Sequence, residues 1–360
     1  MKELWANHKK TILIVTACVV VAAIAVAAVI IWMRMRPAEE PVEVTSAWPV
    51  AERERAVSKP PEPLRWPLTG IDVAPGESPT DIRVLSVKIE NSPAARPQTG
   101  LDQADVVYET LTEGGISRFN ALFHSHTPDE VGPVRSARMS DTQLVPQYSA
   151  LFAHSGGNTG VLNAVRAAGL QVVDHAGAGA AYRRDSSRPA PHNLYMNPTR
   201  AREIAVSKGY PATQEIKGLQ FSPVVDSTTA ISQVTVPFSK ANSVRWDYTE
   251  QSNSYLRFNN GSPHKDRASG EQYSATNVVV MWARTTATGP RGIGGTTLEI
   301  ELVGQGRAAV FRDGVRIDCE WQTDGKAPPV FRDASGTLVR LHPGNTWFQV
   351  IPLDVNISMQ

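Results

Sequence analysis

Cysteine is scarce in this sequence, and the short motifs that mark many catalytic sites are missing. Cys18 and Cys319 are the only cysteines among 360 residues and form no CxxC pair, so we predict neither a disulfide framework nor a cysteine–histidine zinc site. The sequence contains no GxSxG elbow and no Walker loop. Its net charge of +1 argues against a nucleic-acid partner. We therefore expect no metal, no cofactor and no nucleic acid.

One long hydrophobic run is present at the N-terminal end. Residues 11–33 carry no charge and are long enough to cross about 30 Å of hydrocarbon as a helix. Lys9 and Lys10 precede the run, and Trp32 lies at its far end, where an interfacial aromatic residue belongs. This pattern predicts a single-pass signal anchor in the cytoplasmic membrane, behind a cytoplasmic tail at 1–10, with the body of the protein outside.

Cys18 lies within this run, in the sequence VTAC. That tetrapeptide is similar to the lipobox of bacterial lipoproteins, which would make Cys18 a lipidated N-terminus after cleavage. The apolar run, however, continues for fifteen residues beyond Cys18, whereas a lipoprotein turns polar soon after its cysteine. We therefore predict an uncleaved anchor and an unmodified Cys18.

The composition changes twice after the anchor. Residues 34–66 are rich in Pro, Glu, Ala and Ser without apolar periodicity, which predicts a semi-extended linker. Residues 67–212 mix strand and helix patterns, and residues 215–358 alternate between apolar and polar positions with Gly-containing turns. The predicted fold class is α+β, a mixed α/β N-terminal domain followed by a β-rich C-terminal domain, with a single intertwined fold as the alternative. In the first domain we expect strands at 83–90, 149–155 and 170–175 and helices at 139–148 and 160–168.

The stretch VVYETLTEGGISRFNALFH, residues 106–124, predicts a β-hairpin with a two-residue Gly-Gly turn. That turn places Glu109 opposite Asn120 and puts both on one face with Glu113 and Arg118. The other face is apolar and forms a core. Because a solvated strand face rarely mixes acids with arginine and aliphatic residues, we interpret the charged face as the wall of a cleft.

Polar side chains in Pro- and Gly-rich loops extend this candidate site. Loops at strand ends are where a scaffold places binding groups. The glycine loop HSGGNTG, residues 154–160, offers backbone N–H groups to an anion, although a plain strand-to-helix turn is the favoured interpretation. His124 and His126 are interpreted as structural rather than as metal ligands. We predict that the candidate catalytic residues Glu109 and Glu113 share one cleft with the candidate substrate-binding residues Arg96, Arg118, Asn120, Arg135, Arg138, Asp185, His192 and Asn193.

Several long motifs resemble the YerB-like family of bacterial envelope lipoproteins. They are, in order, IENSPAARPQTGLDQADVVYETLTEGGISRF, GPVRSAR, HSGG, RDSSRPAPHNLY, YLRFNNGSPHKDRASGEQYSATNVVV and HPGNTWFQVIP. The resemblance extends from about residue 67 to 358. It implies a protein anchored outside the cytoplasmic membrane of Gram-positive-type bacteria, with an N-terminal domain of unknown function and a distinct C-terminal domain. The transmembrane anchor predicted here departs from the lipoprotein pattern.

The first function compatible with these residues is cleavage of peptidoglycan glycan strands. Glu109 and Glu113 are four residues apart on one strand, about 13 Å, whereas the two carboxylates of a glycosidase are about 5 to 9.5 Å apart. A single-acid mechanism similar to that of a lytic transglycosylase is therefore the better candidate. Glu109 would donate the proton, since apolar surroundings favour a protonated acid, and Glu113 would stay ionised near Arg118.

The second function is that of a non-catalytic envelope protein that binds glycan or a cell-wall synthesis partner. The same Glu and Arg residues then form structural ion pairs, which a buried carboxylate requires. The contacts of Glu109 distinguish the two functions. A Glu109 fully engaged by arginine is structural, and a Glu109 with a free oxygen in an open cleft is an acid.

Overall fold

The computed structural model describes residues 2–35, 63–225, 229–288 and 297–360. It divides the chain into two compact units, Met1–Pro61 and Glu62–Gln360. Most of the linker predicted at 34–66 lies outside the described residues.

The first unit contains one long helix, α1 (Lys2–Arg34). Its stretch Thr16–Arg34 has a mean hydropathy of 2.7 and is not buried within the structure. At 1.5 Å per residue, this apolar helix is long enough to cross a bilayer by length and composition. The anchor predicted at 11–33 lies within α1, and Cys18 is exposed on its surface.

Three shorter α-helices lie in the described part of the second unit, namely α2 (Asp141–Gln147), α3 (Thr159–Ala167) and α4 (Pro198–Ser207). Helices α3 and α4 begin after Asn158 and Asn197, whose side chains each accept a backbone N–H of the first turn. The helices predicted at 139–148 and 160–168 correspond to α2 and α3.

The other regular elements described in the second unit, apart from four 3-10 helices of three residues each, are strands. Those of the first half are β1 (Leu85–Glu90), β2 (Val106–Leu111), β3 (Ser117–Phe123), β4 (Leu151–Ala153), β5 (Tyr182–Arg184) and β6 (Leu194–Met196). Those of the second half are β7 (Gln233–Ser239), β8 (Asn242–Thr249), β9 (Ser254–Asn259), β10 (Ser262–Pro263), β11 (Ser274–Ala275), β12 (Asn277–Trp282), β13 (Thr285–Thr288), β14 (Thr297–Ile300), β15 (Gly304–Arg312), β16 (Val315–Thr323), β17 (Val330–Arg332), β18 (Leu338–Val339), β19 (Thr346–Ile351) and β20 (Ser358–Met359). The predicted α+β class is confirmed.

Ten of these strands form one mixed sheet, in the order β18-β17-β16-β15-β12-β19-β2-β3-β1-β4. Strands β2 and β19 are parallel neighbours near its centre, with Val106 opposite Thr346. A second sheet has the order β10-β9-β8-β7-β20, with β11 paired to β9. The segments 67–212 and 215–358, which the sequence predicts as separate domains, therefore both contribute to the larger sheet of one compact unit.

Hydrophobic layers cover both faces of the ten-stranded sheet. One layer includes Phe119 and packs against the six-stranded sheet, through Trp246, and against α4. The other includes Tyr108 and Phe348 and packs against α2 and α3. Alternation along a strand sends successive side chains to opposite layers. Polar side chains on the central strands therefore need partners inside the protein.

The hairpin of β2 and β3 is present, but its predicted register is wrong. Glu109 lies opposite Phe119 rather than Asn120. The loop 112–116 replaces the predicted two-residue turn, and its two glycines have φ values of 77° and 74°, which glycine adopts without steric cost. Because side chains alternate, this shift of one residue moves Glu109 to the face opposite Arg118 and Asn120.

The strand predicted at 170–175 is also shorter than expected, because only an isolated bridge forms there, between Val172 and Phe152. Its neighbour β4 has three residues before the chain enters the glycine loop. A strand of that length leaves little backbone for a longer ladder.

Candidate functional site

A cluster of charged side chains lies at one end of the strands of the ten-stranded sheet, where β1 ends and β3 begins. Glu90, the last residue of β1, is opposite Arg118. The loop 132–138 is held against the end of β1 by the Arg135 N–H, which donates to the Lys88 carbonyl at 2.8 Å. The hairpin loop adds a carboxylate at its turn. We name the cluster the arginine face, and it consists of Arg118, Arg135, Arg138, Glu90, Glu113 and His192.

The two carboxylates of the arginine face are each held by neighbours. Glu90 accepts from Ser92 Oγ at 2.9 Å and from His192 Nδ1 at 3.0 Å. Arg135 Nε lies 3.1 Å from Glu90 Oε2, a contact between charges rather than an aligned hydrogen bond. Arg138 Nε and Nη2 both lie 2.8 Å from Glu113 Oε2. Three guanidinium groups thus face two carboxylates, which leaves positive charge in excess.

Arg118 is the least compensated group of the arginine face. Its side chain is only 6 % exposed, and its Nη1 donates to the Ser136 carbonyl at 2.8 Å. Its Nε is buried and has no hydrogen-bond partner in the described part of the chain. Burial, followed by the positive charges of Arg138 and Arg135, lowers the pKa of Arg118 to about 10. An anion at this position would satisfy both the charge and the free donor.

A fully buried ion pair between Lys88 and Asp141 lies next to the arginine face. Lys88 Nζ donates to Asp141 Oδ1 at 2.6 Å and to Asn120 Oδ1 at 2.7 Å, and all three side chains are fully buried. Burial lowers the pKa of Lys88, and Asp141 opposes that shift. Asp141 also accepts the backbone N–H of Arg138 at 2.6 Å, so this pair fixes the loop that carries the arginine.

The glycine loop lies beside this site. Ser155 N–H donates to the Arg135 carbonyl at 2.9 Å, and Gly156 accepts the Ala137 N–H at 3.0 Å. His154 is buried, with its Nδ1 3.0 Å from the Gly156 carbonyl, and burial lowers its pKa. The strand-to-helix loop therefore fixes the arginine-bearing loop 132–138 through backbone hydrogen bonds.

Glu109 belongs to a separate and sealed cluster on the opposite face of the sheet. Its side chain is fully buried, and both of its oxygens are engaged. Oε2 lies 2.7 Å from Arg257 Nη2, and Oε1 accepts from Ser117 Oγ at 2.5 Å and from Asn91 Nδ2 at 3.2 Å. We name this cluster the polar core, and it consists of Glu109, Arg257, Ser117, Asn91, Asn242, Gln98 and His264.

Aromatic rings and a histidine complete the surroundings of Arg257, which is itself fully buried. Its guanidinium carbon lies 4.9 Å from the Trp347 ring centre, 5.1 Å from Trp246 and 5.5 Å from Phe119, all within cation–π range. Its Nε donates to His264 Nδ1 at 3.0 Å. Since Glu109 is on β2 and Arg257 on β9, the pair joins the two sheets.

The structure brings together six of the residues that the sequence predicts as one site and places the other four elsewhere. The six are Arg118, Arg135, Arg138, Glu113 and His192 of the arginine face and Asn120, which is buried next to them against Lys88. Glu109 lies in the polar core, and Arg96 adjoins it by donating to Asn91 at 3.0 Å. The predicted convergence of all ten residues around Glu109 is therefore not observed, because the hairpin register separates the two faces.

The remaining two residues hold the loop that carries His192. Asn193 donates to the carbonyls of Asp185 and Arg188, both at 3.1 Å. Asp185 pairs with Arg267 at 2.6 Å. Hydrogen bonds from the Ser187 hydroxyl and then from Arg267 hold the pKa of Asp185 below its ordinary value. Both residues therefore act as structural supports.

The sequence patterns did not single out four charged residues of these clusters, namely Lys88, Glu90, Asp141 and Arg257, nor the neutral polar residues of the polar core. Polar residues alternate with apolar ones along β1, in LSVKIE, and that alternation marks one polar face of a buried strand. This alternation could have predicted that Lys88 and Glu90 lie on the same face of β1. Nothing in the sequence linked Arg257 to Glu109, 148 positions earlier. In the described ranges, no three His, Cys, Asp or Glu side chains group as metal ligands.

Comparison with known proteins places this geometry in a family. Residues 68–211 match the family described as "Protein of unknown function (DUF3048) N-terminal domain", and residues 234–348 match its C-terminal domain. The chain is 31% identical over 310 residues to the Bacillus subtilis (strain 168) protein named "Putative lipoprotein YerB", covering 84% of this chain and 90% of that protein. The crystal structure of YerB protein from Bacillus subtilis superposes with a TM-score of 0.74 at 30% identity, covering 82% of this chain and 99% of the other. The chain belongs to the YerB family.

Proposed function

We propose that this member of the YerB family is a non-catalytic binding protein of the cell envelope, and that its arginine face binds anionic groups of peptidoglycan or of a wall-synthesis partner. The observation that carries the proposal is Arg118, nine-tenths buried, beside two further arginines, with a free Nε. Guanidinium groups bind carboxylates and phosphates through paired donors. A partly buried cluster with excess positive charge therefore favours an anionic ligand.

The proposed location rests on α1. The YerB relative carries a lipoprotein name, which supports membrane association. Lys2, Lys9 and Lys10 precede the apolar stretch, and Arg34 and Arg36 follow it. This slight excess of positive charge at the N-terminal side favours a cytoplasmic N-terminus and an extracytoplasmic body. Peptidoglycan then lies within reach of the second unit.

The state of Glu109 argues against proton donation. A general acid must reach the leaving oxygen within hydrogen-bond distance. Glu109 is fully buried and has three hydrogen-bonding partners. No oxygen of this carboxyl is left for a substrate, so the single-acid mechanism lacks its acid in this conformation.

The test uses the full chain in lipid nanodiscs, incubated with purified peptidoglycan. Sedimentation of the wall measures binding, and mass analysis of the soluble products measures cleavage. We expect co-sedimentation without new products, and weaker co-sedimentation at higher salt, because screening reduces contacts between charges. The double variant Arg135→Gln/Arg138→Gln should lose binding, whereas the matched control Arg200→Gln, an exposed arginine on α4, should not. New muropeptide products released by the parent protein would overturn the proposal, and their loss in a Glu109→Gln variant that keeps its parent melting temperature would restore the enzyme.

The membrane arrangement has its own test. Protease added to intact protoplasts should digest the second unit, and a fatty-acid probe should not label the protein at Cys18. Full protection from protease would contradict the extracytoplasmic body. Labelling that is lost in Cys18→Ser would contradict the uncleaved anchor.

A further inference from the structure

A cavity that is distinct from the arginine face lies between the loop that contains Arg96 and the β9–β10 hairpin. Its volume is about 470 Å³, within the range of small-ligand pockets. The side chains that give it chemical character are Arg96, Asn259, Asn260, Ser262 and Lys265, with His264 in the wall. The cavity joins the two halves of the second unit, since Arg96 comes from the first half and the others from the second.

The charge of this cavity has one sign. Arg96 and Lys265 are its charged residues, and no Asp or Glu lies among the lining residues. Arg96 donates through Nε and Nη2 to Asn91, which fixes the guanidinium and leaves Nη1 without a partner in the described ranges. His264 adds no charge, because its Nδ1 accepts from Arg257 and its Nε2 donates to Gln98. Burial holds its pKa far below the ordinary value.

A chain of hydrogen bonds fixes the orientation of the Asn259 side-chain amide in the cavity wall. Glu109, paired with Arg257, is an acceptor, so Ser117 donates its hydroxyl proton to it. Ser117 Oγ then accepts from Asn242 Nδ2 at 2.9 Å. Asn242 Oδ1 in turn accepts from Asn259 Nδ2 at 2.9 Å.

The direction of every amide in this chain is therefore set by the carboxylate of Glu109. Asn259, which is 5 % exposed, ends the chain with its carbonyl oxygen Oδ1. That oxygen has no partner in the described part of the protein. The cavity thus combines two cations with the buried, unpartnered carbonyl of Asn259 in its wall and with the hydroxyl of Ser262, whereas the amide of Asn260 is engaged by Ser243 and Ala241.

We infer that this cavity is a binding site for an acidic sugar, a ligand that carries a carboxylate together with O–H or N–H donors. The carboxylate would pair with Arg96 and Lys265, and a ligand hydroxyl or acetamido N–H would donate to Asn259 Oδ1. A neutral sugar would leave both cations unpaired. A simple anion would leave the Asn259 carbonyl unsatisfied, and an unsatisfied buried group costs about 1–3 kcal/mol.

The test is isothermal titration of the full chain in nanodiscs with three probes at millimolar concentrations. N-acetylmuramic acid carries the carboxylate and the donors, N-acetylglucosamine lacks the carboxylate, and lactate lacks the sugar. We expect N-acetylmuramic acid to bind about tenfold tighter than either fragment. Equal binding of the two sugars, binding of lactate as tight as that of N-acetylmuramic acid, or no binding of N-acetylmuramic acid would each overturn the inference.

The variants locate the site. Lys265 is exposed, so Lys265→Gln should fold normally and weaken N-acetylmuramic acid binding about tenfold. Lys326→Gln is the matched control, an exposed lysine outside the cavity, and should leave binding unchanged. Wall binding through the arginine face is measured separately, by co-sedimentation of Arg135→Gln/Arg138→Gln, so that failure of the arginine face and failure of this cavity are separate results. Unaltered binding in Lys265→Gln would place the sugar elsewhere and refute the site.

Discussion

Glu109 and Arg118 lie on neighbouring strands of one hairpin, and both are almost completely buried, but their surroundings differ. Glu109 points into the polar core, where Arg257, Ser117 and Asn91 engage both of its oxygens. Arg118 points into the arginine face, where one carbonyl accepts from it and two other arginines lie nearby. In the polar core, both oxygens of Glu109 accept hydrogen bonds. In the arginine face, the Nε of Arg118 has no hydrogen-bond partner among the described residues, and the arginines outnumber the carboxylates.

The difference separates structural from functional charge. A buried ion pair with complete hydrogen bonding holds two sheets together and offers nothing to a ligand. Buried charges of like sign with an unpaired donor raise the free energy of the folded state unless a ligand compensates them. Residue type alone does not distinguish the two cases, because both clusters contain Glu, Arg and His.

The largest expected effect is on the polar core. Glu109→Gln removes the carboxylate and leaves Arg257 buried without its anion, which should destabilise the protein by about 3–5 kcal/mol. Thermal unfolding followed by tryptophan fluorescence measures the loss, since Trp246 and Trp347 contact Arg257. The control Glu113→Gln should change stability by about 1 kcal/mol or less, because that pair is partly exposed. A normal melting temperature for Glu109→Gln would contradict the structural role.

A double-mutant cycle sharpens the same point. Arg257→Met alone leaves the Glu109 carboxylate buried among aromatic rings, whereas Glu109→Gln/Arg257→Met removes both charges. The double variant should therefore be more stable than the sum of the single losses predicts, by about 1–3 kcal/mol. Denaturant unfolding of the four proteins gives this coupling energy. Simple additivity would mean that Glu109 and Arg257 do not act as a pair.

Arg118→Gln should change stability little and reduce wall binding. Removal of one of three neighbouring positive charges relieves repulsion, so stability should stay within about 1 kcal/mol of the parent or rise. Peptidoglycan co-sedimentation should fall at the same time. A large loss of stability with retained wall binding would show that Arg118 is structural like Arg257.

The smallest effect concerns the rim of the arginine face. Arg138→Gln breaks the contact with Glu113, whose side chain is 29% exposed, and should cost about 0.2–1 kcal/mol. Added salt should weaken the effect, since solvent screens such pairs. The difference in melting temperature between parent and variant, measured at low and high salt, tests this. A loss of stability as large as that of Glu109→Gln would mean that the Arg138–Glu113 pair is shielded from solvent.

Much of the local structure could be predicted from local sequence patterns. The uncharged run at 11–33 predicted the apolar helix, since length and hydropathy alone decide that a segment is long enough to cross a bilayer. The helices near 139–148 and 160–168 and the strands β1, β2 and β3 follow from periodicity and from turn residues. The family resemblance, which long motifs carried, is confirmed by the matches at 68–211 and 234–348.

The site depended on two facts that no local pattern contains. The first is the register of the hairpin. Its loop is 112–116 rather than a two-residue turn, and this one-residue shift sends Glu109 to the face opposite Arg118. The second is the pairing of β2 with β19, which encloses Glu109 in a sheet shared by both halves.

By itself, the sequence determined most of the helices and strands, the apolar helix at the N-terminal end and the set of charged residues available for a site. Only the tertiary structure decided which of those charges neutralise one another. Arg257 reaches Glu109 across 148 positions because β9 packs its sheet against the face that carries Glu109, and such a contact depends on the packing of two sheets rather than on any spacing in the chain. Whether a buried charge is sealed or left free for a ligand is fixed by those long-range neighbours, since hydrogen bonding and dielectric environment act through space.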